Sequence, residues 1–85
     1  MKKKEEKTDM SEFTLIVGKR IRKARKAKNL TLEELAERCG LHPAYIGQLE
    51  RGVKNASLYT LEKIACALEL SLTDLVGNSD IVTET

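Results

Sequence analysis

The chain has 85 residues, of which 41% are apolar, with one Phe, two Tyr and no Trp. This length holds one domain, and an all-helical domain of this size can bury a core without disulfides or metals. The charged start of the chain is not followed by an apolar run, which argues against a signal peptide or a membrane span. We therefore expect a single cytoplasmic domain.

The net charge is only +2, but basic residues crowd into one stretch: Lys19, Arg20, Arg22, Lys23, Arg25, Lys26 and Lys28. We name these residues the basic cluster. A phosphate backbone would be a suitable partner for such a cluster, and a solvated basic helix face explains it equally well. The cluster alone does not decide between the two.

The first helix is expected to run from about Met10 to near Asn29, behind a disordered charged tail at residues 1–9. Its inward face is predicted from apolar residues at helical spacing, which are Phe13, Val17, Ile21 and Ala24. The domain is expected to span residues 10–77, and residues 78–85 form a C-terminal tail that could contribute to a dimer interface.

A capping box, Thr31 with Glu34, predicts the start of helix 2, and Gly40 predicts its end. The inner stripe of this helix is expected to contain Leu35, Ala36 and Cys39. No metal-ligand spacing accompanies Cys39 or the second cysteine, Cys66, so both are interpreted as buried free thiols.

Helix 3 follows closely, because Pro43 suits the first helical position and His42 then takes the cap position. The spacing of Ile46 and Leu49 marks its buried side, and Gly52 ends it. Ala36 is small enough for two backbones to approach, and Gly40 is flexible enough for a tight turn between the helices. Helices 2 and 3 are therefore expected to cross as a helix-turn-helix.

Two more helices complete the expected fold. Ser57 is a cap for helix 4, and Ser71 starts a short helix 5 that ends at Gly77. The apolar face of helix 4 comprises Leu58, Leu61, Ile64, Ala65 and Leu68. No segment alternates between apolar and polar residues over a length that would predict a strand. The predicted class is therefore all-α, with five helices.

The segments LEELAERCGL, YIGQLERG and LEKIACALEL resemble the phage repressor and Cro type of helix-turn-helix family, also called XRE-like. The similar stretch begins at Val17 and covers about three quarters of the chain. The resemblance implies a compact lambda-repressor-like domain that binds double-stranded DNA and regulates transcription. Its third helix would lie in the major groove.

The resemblance also implies roles for individual residues. The outward, base-contacting set on helix 3 would be Pro43, Ala44, Tyr45, Gly47 and Gln48. Gln48 is the best candidate for reading an adenine edge, and Tyr45 could instead pack against helix 2. Phosphate contacts are expected at Thr31, His42, Arg51, Lys54 and Asn55.

One ion pair and one departure also follow from the resemblance. Arg25 and Glu50 would form an internal ion pair that links helix 1 to helix 3. Family members often carry glutamine where this chain has Leu32, so the usual contact of that position is in doubt. The resulting hypothesis is that the protein makes few direct base contacts. Its specificity would then depend also on half-site spacing and on the deformability of the DNA.

A single small domain buries little surface on DNA, so we expect a homodimer on a palindromic operator with half-sites about 34 Å apart. Repression is the expected outcome of binding. The predicted dimer interface uses apolar residues of helix 5 and the tail, which are Leu72, Leu75, Val76, Ile81 and Val82.

Other function classes have less support in the sequence. An enzyme is not expected, because His42 is the only histidine and no catalytic set or phosphate-binding glycine loop occurs. No cofactor, metal or small-molecule ligand is expected either. The alternative function is an antitoxin-like or adaptor module that binds a protein through the same fold, since fold does not fix function.

Overall fold

The computed structural model describes the backbone of residues 2–77 and the side chains of residues 12–77. Within this backbone there are five helices and no strand, which confirms the all-α class. The helices are α1 (Lys2–Ala27), α2 (Leu32–Cys39), α3 (Pro43–Glu50), α4 (Leu58–Ala67) and α5 (Leu72–Val76).

Helix α1 begins at Lys2, well before the start near Met10 that the sequence predicted. Lys and Glu are good helix formers, and no proline or glycine occurs before Gly18, so nothing in the sequence stops the helix from extending backwards. The division into a tail at 1–9, a domain at 10–77 and a tail at 78–85 stays a prediction. Residues 78–85 lie outside the described part of the chain.

The helix starts follow the predicted caps. Thr31 Oγ1 accepts a hydrogen bond from the Glu34 amide at 3.0 Å, and the Thr31 amide donates to Glu34 Oε1 at 2.9 Å. Ser71 and Asp74 form the same reciprocal pair, with distances of 2.9 and 3.2 Å. Ser57 Oγ accepts from the Thr60 amide at 3.1 Å. Each cap satisfies an amide that the first helical turn leaves unpaired.

Helices α1 to α4 all end in one motif, in which a residue with positive φ follows the last turn. That residue is Asn29 (φ 58°), Gly40 (φ 71°), Gly52 (φ 76°) or Glu69 (φ 61°). At each end the next amide reaches back five residues, as from Leu70 N to Ala65 O at 2.8 Å. The predicted ends at Asn29, Gly40 and Gly52 are confirmed, whereas the fourth occurs at a glutamate.

All five helices contribute buried residues to one core. Helix α1 packs on α3 and α5, α2 packs on α3 and α4, and α4 packs on α5. The largest fully buried side chains are Ile21, Leu35, Ile46, Ile64, Leu68 and Leu75. Most of the predicted inward faces are confirmed by this set.

Phe13 and Leu58 of the predicted faces, and the cysteine Cys66, are exposed. Phe13 is 50% exposed at the rim of a shallow groove, because no helix covers α1 at that level. Leu58 is 66% exposed, because it is the first residue of α4 and its side chain points past the end of the core. Cys66 is exposed and Cys39 is buried, so the prediction of two buried thiols was wrong for Cys66.

The crossing of α1 and α3 depends on Gly18. A Cβ atom at this position would lie 2.2 Å from the Leu49 carbonyl oxygen and 2.7 Å from that of Glu50. Only glycine allows the two backbones to come so close. This contact fixes the C-terminal end of α3 against the middle of α1.

Candidate nucleic-acid interface

Helices α2 and α3 form the crossing that the sequence predicted. Gly40 has φ 71°, and the amide of Leu41 donates to Ala36 O at 2.9 Å, which closes α2 immediately before the turn. His42 then caps α3, with its Nδ1 accepting from the Ala44 amide at 3.3 Å. Buried Ile46 and Leu49 hold the inner face of α3 on the core, so its opposite face is directed outward.

The five residues predicted to contact bases differ in exposure. Ala44 is exposed, whereas Pro43, Tyr45 and Gln48 are half-buried. Tyr45 packs partly against the core, in keeping with the alternative packing role. Gly47 is buried, which corrects its assignment to the outward set.

The burial of Gly47 has a clear cause. A Cβ atom at residue 47 would lie 3.4 Å from Arg51 Nη1 and 3.6 Å from Leu32 Cδ1. The side chains of Arg51 and Leu32 therefore cover the glycine. The four-residue separation of Gly47 and Arg51, which places them on one face of a helix, was a sequence signal that could have revealed this contact.

The residues predicted to contact phosphates are all exposed: Thr31, His42, Arg51, Lys54 and Asn55. Asn55 Oδ1 accepts a hydrogen bond from the hydroxyl of Thr14 at 2.8 Å, which ties the loop after α3 to α1. The exposure of these side chains makes them accessible, and their contacts with DNA stay predictions.

Arg25 and Glu50 form the ion pair that the family resemblance implied. Arg25 Nε lies 2.6 Å from Glu50 Oε2, and Arg25 Nη2 lies 3.0 Å from Oε1. In a third bond, Nη1 donates to the Leu30 carbonyl oxygen at 2.8 Å. The hydrogen bond from Glu50 raises the pKa of Arg25 above its ordinary value, against the effect of burial. The pair orients α3 relative to α1.

The basic cluster is divided between structural and free cations. Arg20 Nη1 donates to the carbonyls of Leu75, at 3.0 Å, and Gly77, so it holds α5 on α1. Lys28 pairs with Glu69 at 2.8 Å, and this lowers the pKa of Glu69. Among residues 12–77, the cations of the cluster without an acceptor are Lys19, Arg22, Lys23 and Lys26. The sequence did not reveal the role of Arg20.

The predicted dimer residues of α5 need a correction. Leu75 is completely buried inside the domain, where α5 packs on α4 and α1, and so cannot contact a second copy. Leu72 and Val76 are half-buried and pack against the same core. Ile81 and Val82 lie outside the described residues.

Other kinds of site find no support in the described residues. No group of three or more His, Cys, Asp or Glu side chains in this part of the chain could hold a metal ion. No helix in the described range has the length and apolarity needed to cross a membrane.

An all-helical domain in which two short helices cross at a glycine turn, with the second directed outward, has the helix-turn-helix fold. The helix-turn-helix family model matches residues 21–75. This chain belongs to that family.

The sequence is similar to named proteins over most of its length. Control protein C.BamHI of Bacillus amyloliquefaciens is 43% identical over 72 residues, covering 84% of this chain and 89% of that protein. The immunity repressor protein of Bacillus phage phi105 is 39% identical over 70 residues, covering 82% of this chain. The match covers 49% of the repressor, so this chain spans about half of its length.

Solved structures agree with the fold. The restriction-modification controller protein C.AhdI from Aeromonas hydrophila superposes with a TM-score of 0.71 at 40% identity, covering 73% of this chain and 94% of C.AhdI. SinR, a master regulator for biofilm formation solved in complex with DNA, gives a TM-score of 0.67 at 38% identity, covering 69% of this chain and 95% of that chain.

Proposed function

We propose that this protein is a transcriptional regulator that binds double-stranded DNA in a sequence-specific manner, with α3 in the major groove. The observation that carries the proposal is the crossing of α2 and α3, which directs Ala44 and Gln48 outward beside a rim of exposed polar and basic side chains. The similarity of this chain to SinR, whose structure was solved in complex with DNA, supports the same conclusion. A regulator of this kind acts in the cytoplasm.

Base contacts would come from few side chains. The half-buried Gln48 amide can bond the N6 and N7 edge of an adenine. Pro43 and Ala44 offer only apolar contact, for which a thymine methyl is suited. Tyr45 would contribute a further base contact at the flank of α3. Specificity would therefore depend on few bases together with spacing and deformability of the duplex.

Phosphates would bind where free amides and basic side chains meet. The first turn of α2 offers Thr31, and the cap of α3 offers His42. The loop after α3 offers Lys54 and Asn55, both exposed. These contacts would fix the position of α3 without reading sequence.

A homodimer acting as a repressor on a palindromic operator completes the proposal. One such domain contacts a single half-site, and two copies about 34 Å apart supply useful specificity. Because Leu75 is buried inside the domain, the dimer contact would use the partly exposed Leu72 and Val76 together with Ile81 and Val82. Sedimentation showing one copy both free and on DNA would remove this part.

Binding to random duplex DNA at increasing salt tests the main proposal. Phosphate contacts release counterions, so the affinity of the wild-type chain should fall steeply with salt. Lys54→Ala should lower the slope of log K against log salt by about 1. Lys63→Ala, which removes a lysine on α4 beside Tyr59, is the matched control and should leave the slope unchanged.

Two results would contradict the proposal. Salt-independent or absent duplex binding would favour the adaptor function on the same fold. Equal slope changes for Lys54→Ala and Lys63→Ala would show attraction to net charge instead of an interface at α3.

A further inference from the structure

Arg51 does not lie where a side chain dedicated to phosphate is expected. Its backbone remains helical (φ −84°, ψ −4°), and its amide donates to Gly47 O at 3.1 Å. Residue 51 therefore continues α3, about one turn beyond Gly47 and about two turns beyond Ala44, on the same side of the helix. Ala44 and Arg51 are both exposed on this side, and Gly47 between them is covered by the side chains of Arg51 and Leu32.

The guanidinium of Arg51 lies across this face. Nη1 is 3.4 Å from the place where a Cβ of Gly47 would be, and Leu32 Cδ1 is 3.6 Å from the same point. Helical side chains point toward the N-terminus of their helix, so Arg51 is directed toward the end of α3 that enters the groove. A side chain larger than that of alanine at 47 would compete with the guanidinium for this place.

The donors of Arg51 are unused within the described residues. No hydrogen bond or ion pair joins it to any residue of the 12–77 range. Its neighbour Glu50 has both carboxylate oxygens engaged by Arg25. Leu32, an aliphatic side chain, offers no acceptor. The guanidinium therefore has its hydrogen-bonding capacity open to a ligand.

We infer that Arg51 reads a guanine in each half-site, with its guanidinium donating to O6 and N7. This inference rests on the proposed DNA-binding function and changes the role of Arg51 from phosphate contact to base contact. A guanidinium matches the paired acceptors of guanine in the major groove better than any other side chain does. The outward face of α3 otherwise carries Ala44 and Gln48, which cannot supply that pair of donors to guanine.

The test begins with selection of bound duplexes from a random library by the wild-type protein. A guanine at a fixed position in each half-site is expected. Replacing that guanine by 7-deazaguanine, which keeps base pairing and lacks N7, should weaken binding between about 5-fold and 100-fold. Arg51→Lys keeps the charge and loses the planar fork, so its preference for this guanine should be weaker than that of the wild type.

Two controls separate base reading from phosphate binding. In Arg51→Lys, 7-deazaguanine should weaken binding by a smaller factor than in the wild type, and the slope of log K against log salt should equal that of the wild type. Lys54→Ala should weaken every duplex by the same factor and keep the guanine preference. Arg51 is exposed, so Arg51→Lys should have an unchanged circular dichroism spectrum.

Three outcomes would overturn the inference while the DNA-binding function stands: selected sites without a fixed guanine, full sensitivity to 7-deazaguanine in Arg51→Lys, or equal weakening of all duplexes by that variant. A wild-type chain without salt-sensitive duplex binding would overturn both the inference and the function.

Discussion

Replacing Glu50 with alanine should destabilise the domain more than removal of any exposed charge among the described side chains. The side chains of Arg25 and Glu50 are only 11% and 6% exposed, and two hydrogen bonds of 2.6 and 3.0 Å join them. In Glu50→Ala the guanidinium stays buried, keeps its charge and loses its carboxylate. An uncompensated buried charge is among the few causes of very large single-residue effects.

Breaking a buried pair from one side costs about 3–5 kcal/mol. A domain of this kind has roughly 5–15 kcal/mol of stability in total. The melting temperature should therefore fall by about 12–40 °C for a domain of this size. Arg25→Ala should cost at least as much, because it also leaves the Leu30 carbonyl, now bonded at 2.8 Å, without its donor.

Thermal unfolding followed by circular dichroism at 222 nm measures this effect, and Lys28→Ala is the matched control. Lys28 and Glu69 are also joined at 2.8 Å, but they are 33% and 74% exposed. Water screens exposed pairs, so the control should melt close to the wild type. Similar melting temperatures for Glu50→Ala and Lys28→Ala would refute the claim that burial decides the importance of the pair.

The two pairs should also differ in their dependence on pH. The pKa of Arg25 is raised, and a cation with a raised folded pKa loses its contribution only as pH rises through that value. The pKa of Glu69 is lowered by Lys28, so its small contribution is present above the ordinary value of 4.5 and is lost as pH falls below it. The contribution of Arg25 should therefore be lost only at strongly alkaline pH, whereas that of Glu69 is lost on acidification.

Three further predictions concern single positions. Gly18→Ala should lose about 1–3 kcal/mol of stability, because its Cβ would meet backbone oxygens that cannot move aside. In Gly47→Ala the Cβ meets ordinary contacts, so this variant should gain up to about 1 kcal/mol. Chemical denaturation should therefore show changes of opposite sign in the free energy of unfolding. Glu69→Gly should raise the melting temperature by a few degrees because residue 69 has φ 61°, and a lower temperature would contradict this. Cys66 should react with an alkylating reagent in the native protein, whereas Cys39, whose pKa is raised by burial, should react only after unfolding, and equal rates would show Cys39 to be accessible.

The boundaries of the helices could be predicted where local chemistry decides them. Thr31 and Ser57 bond amides of their own first turn, and Gly40 adopts its positive φ within its own turn, so a few adjacent residues suffice. The start of α1 was predicted too late in the chain, because no capping residue or helix breaker interrupts the charged segment. The composition of that segment is compatible with a tail and with a helix. The class and order of the helices followed from these signals.

Burial was harder to predict, because it depends on whether another helix covers a face. Periodicity placed Phe13 and Leu58 on apolar faces, but neither is covered at its level of the structure. Leu75 was expected at the surface and is completely buried, because α5 packs on both α1 and α4. Gly47 was expected outside and is covered by the side chains of Arg51 and Leu32, the second of which comes from another helix.

The basic cluster shows why counting charges overstates what a partner can bind. Arg20 is used to hold α5, Arg25 to orient α3, and Lys28 to join the ends of α1 and α4. Each of these links spans at least 25 positions of the chain, so no local pattern separates them from free cations. The same helix therefore builds the scaffold with one set of cations and leaves another exposed. Because the scaffold set holds the elements that position α3, neutralising it would impair DNA binding through loss of the fold, whereas neutralising the exposed set would act only through the field around the helix.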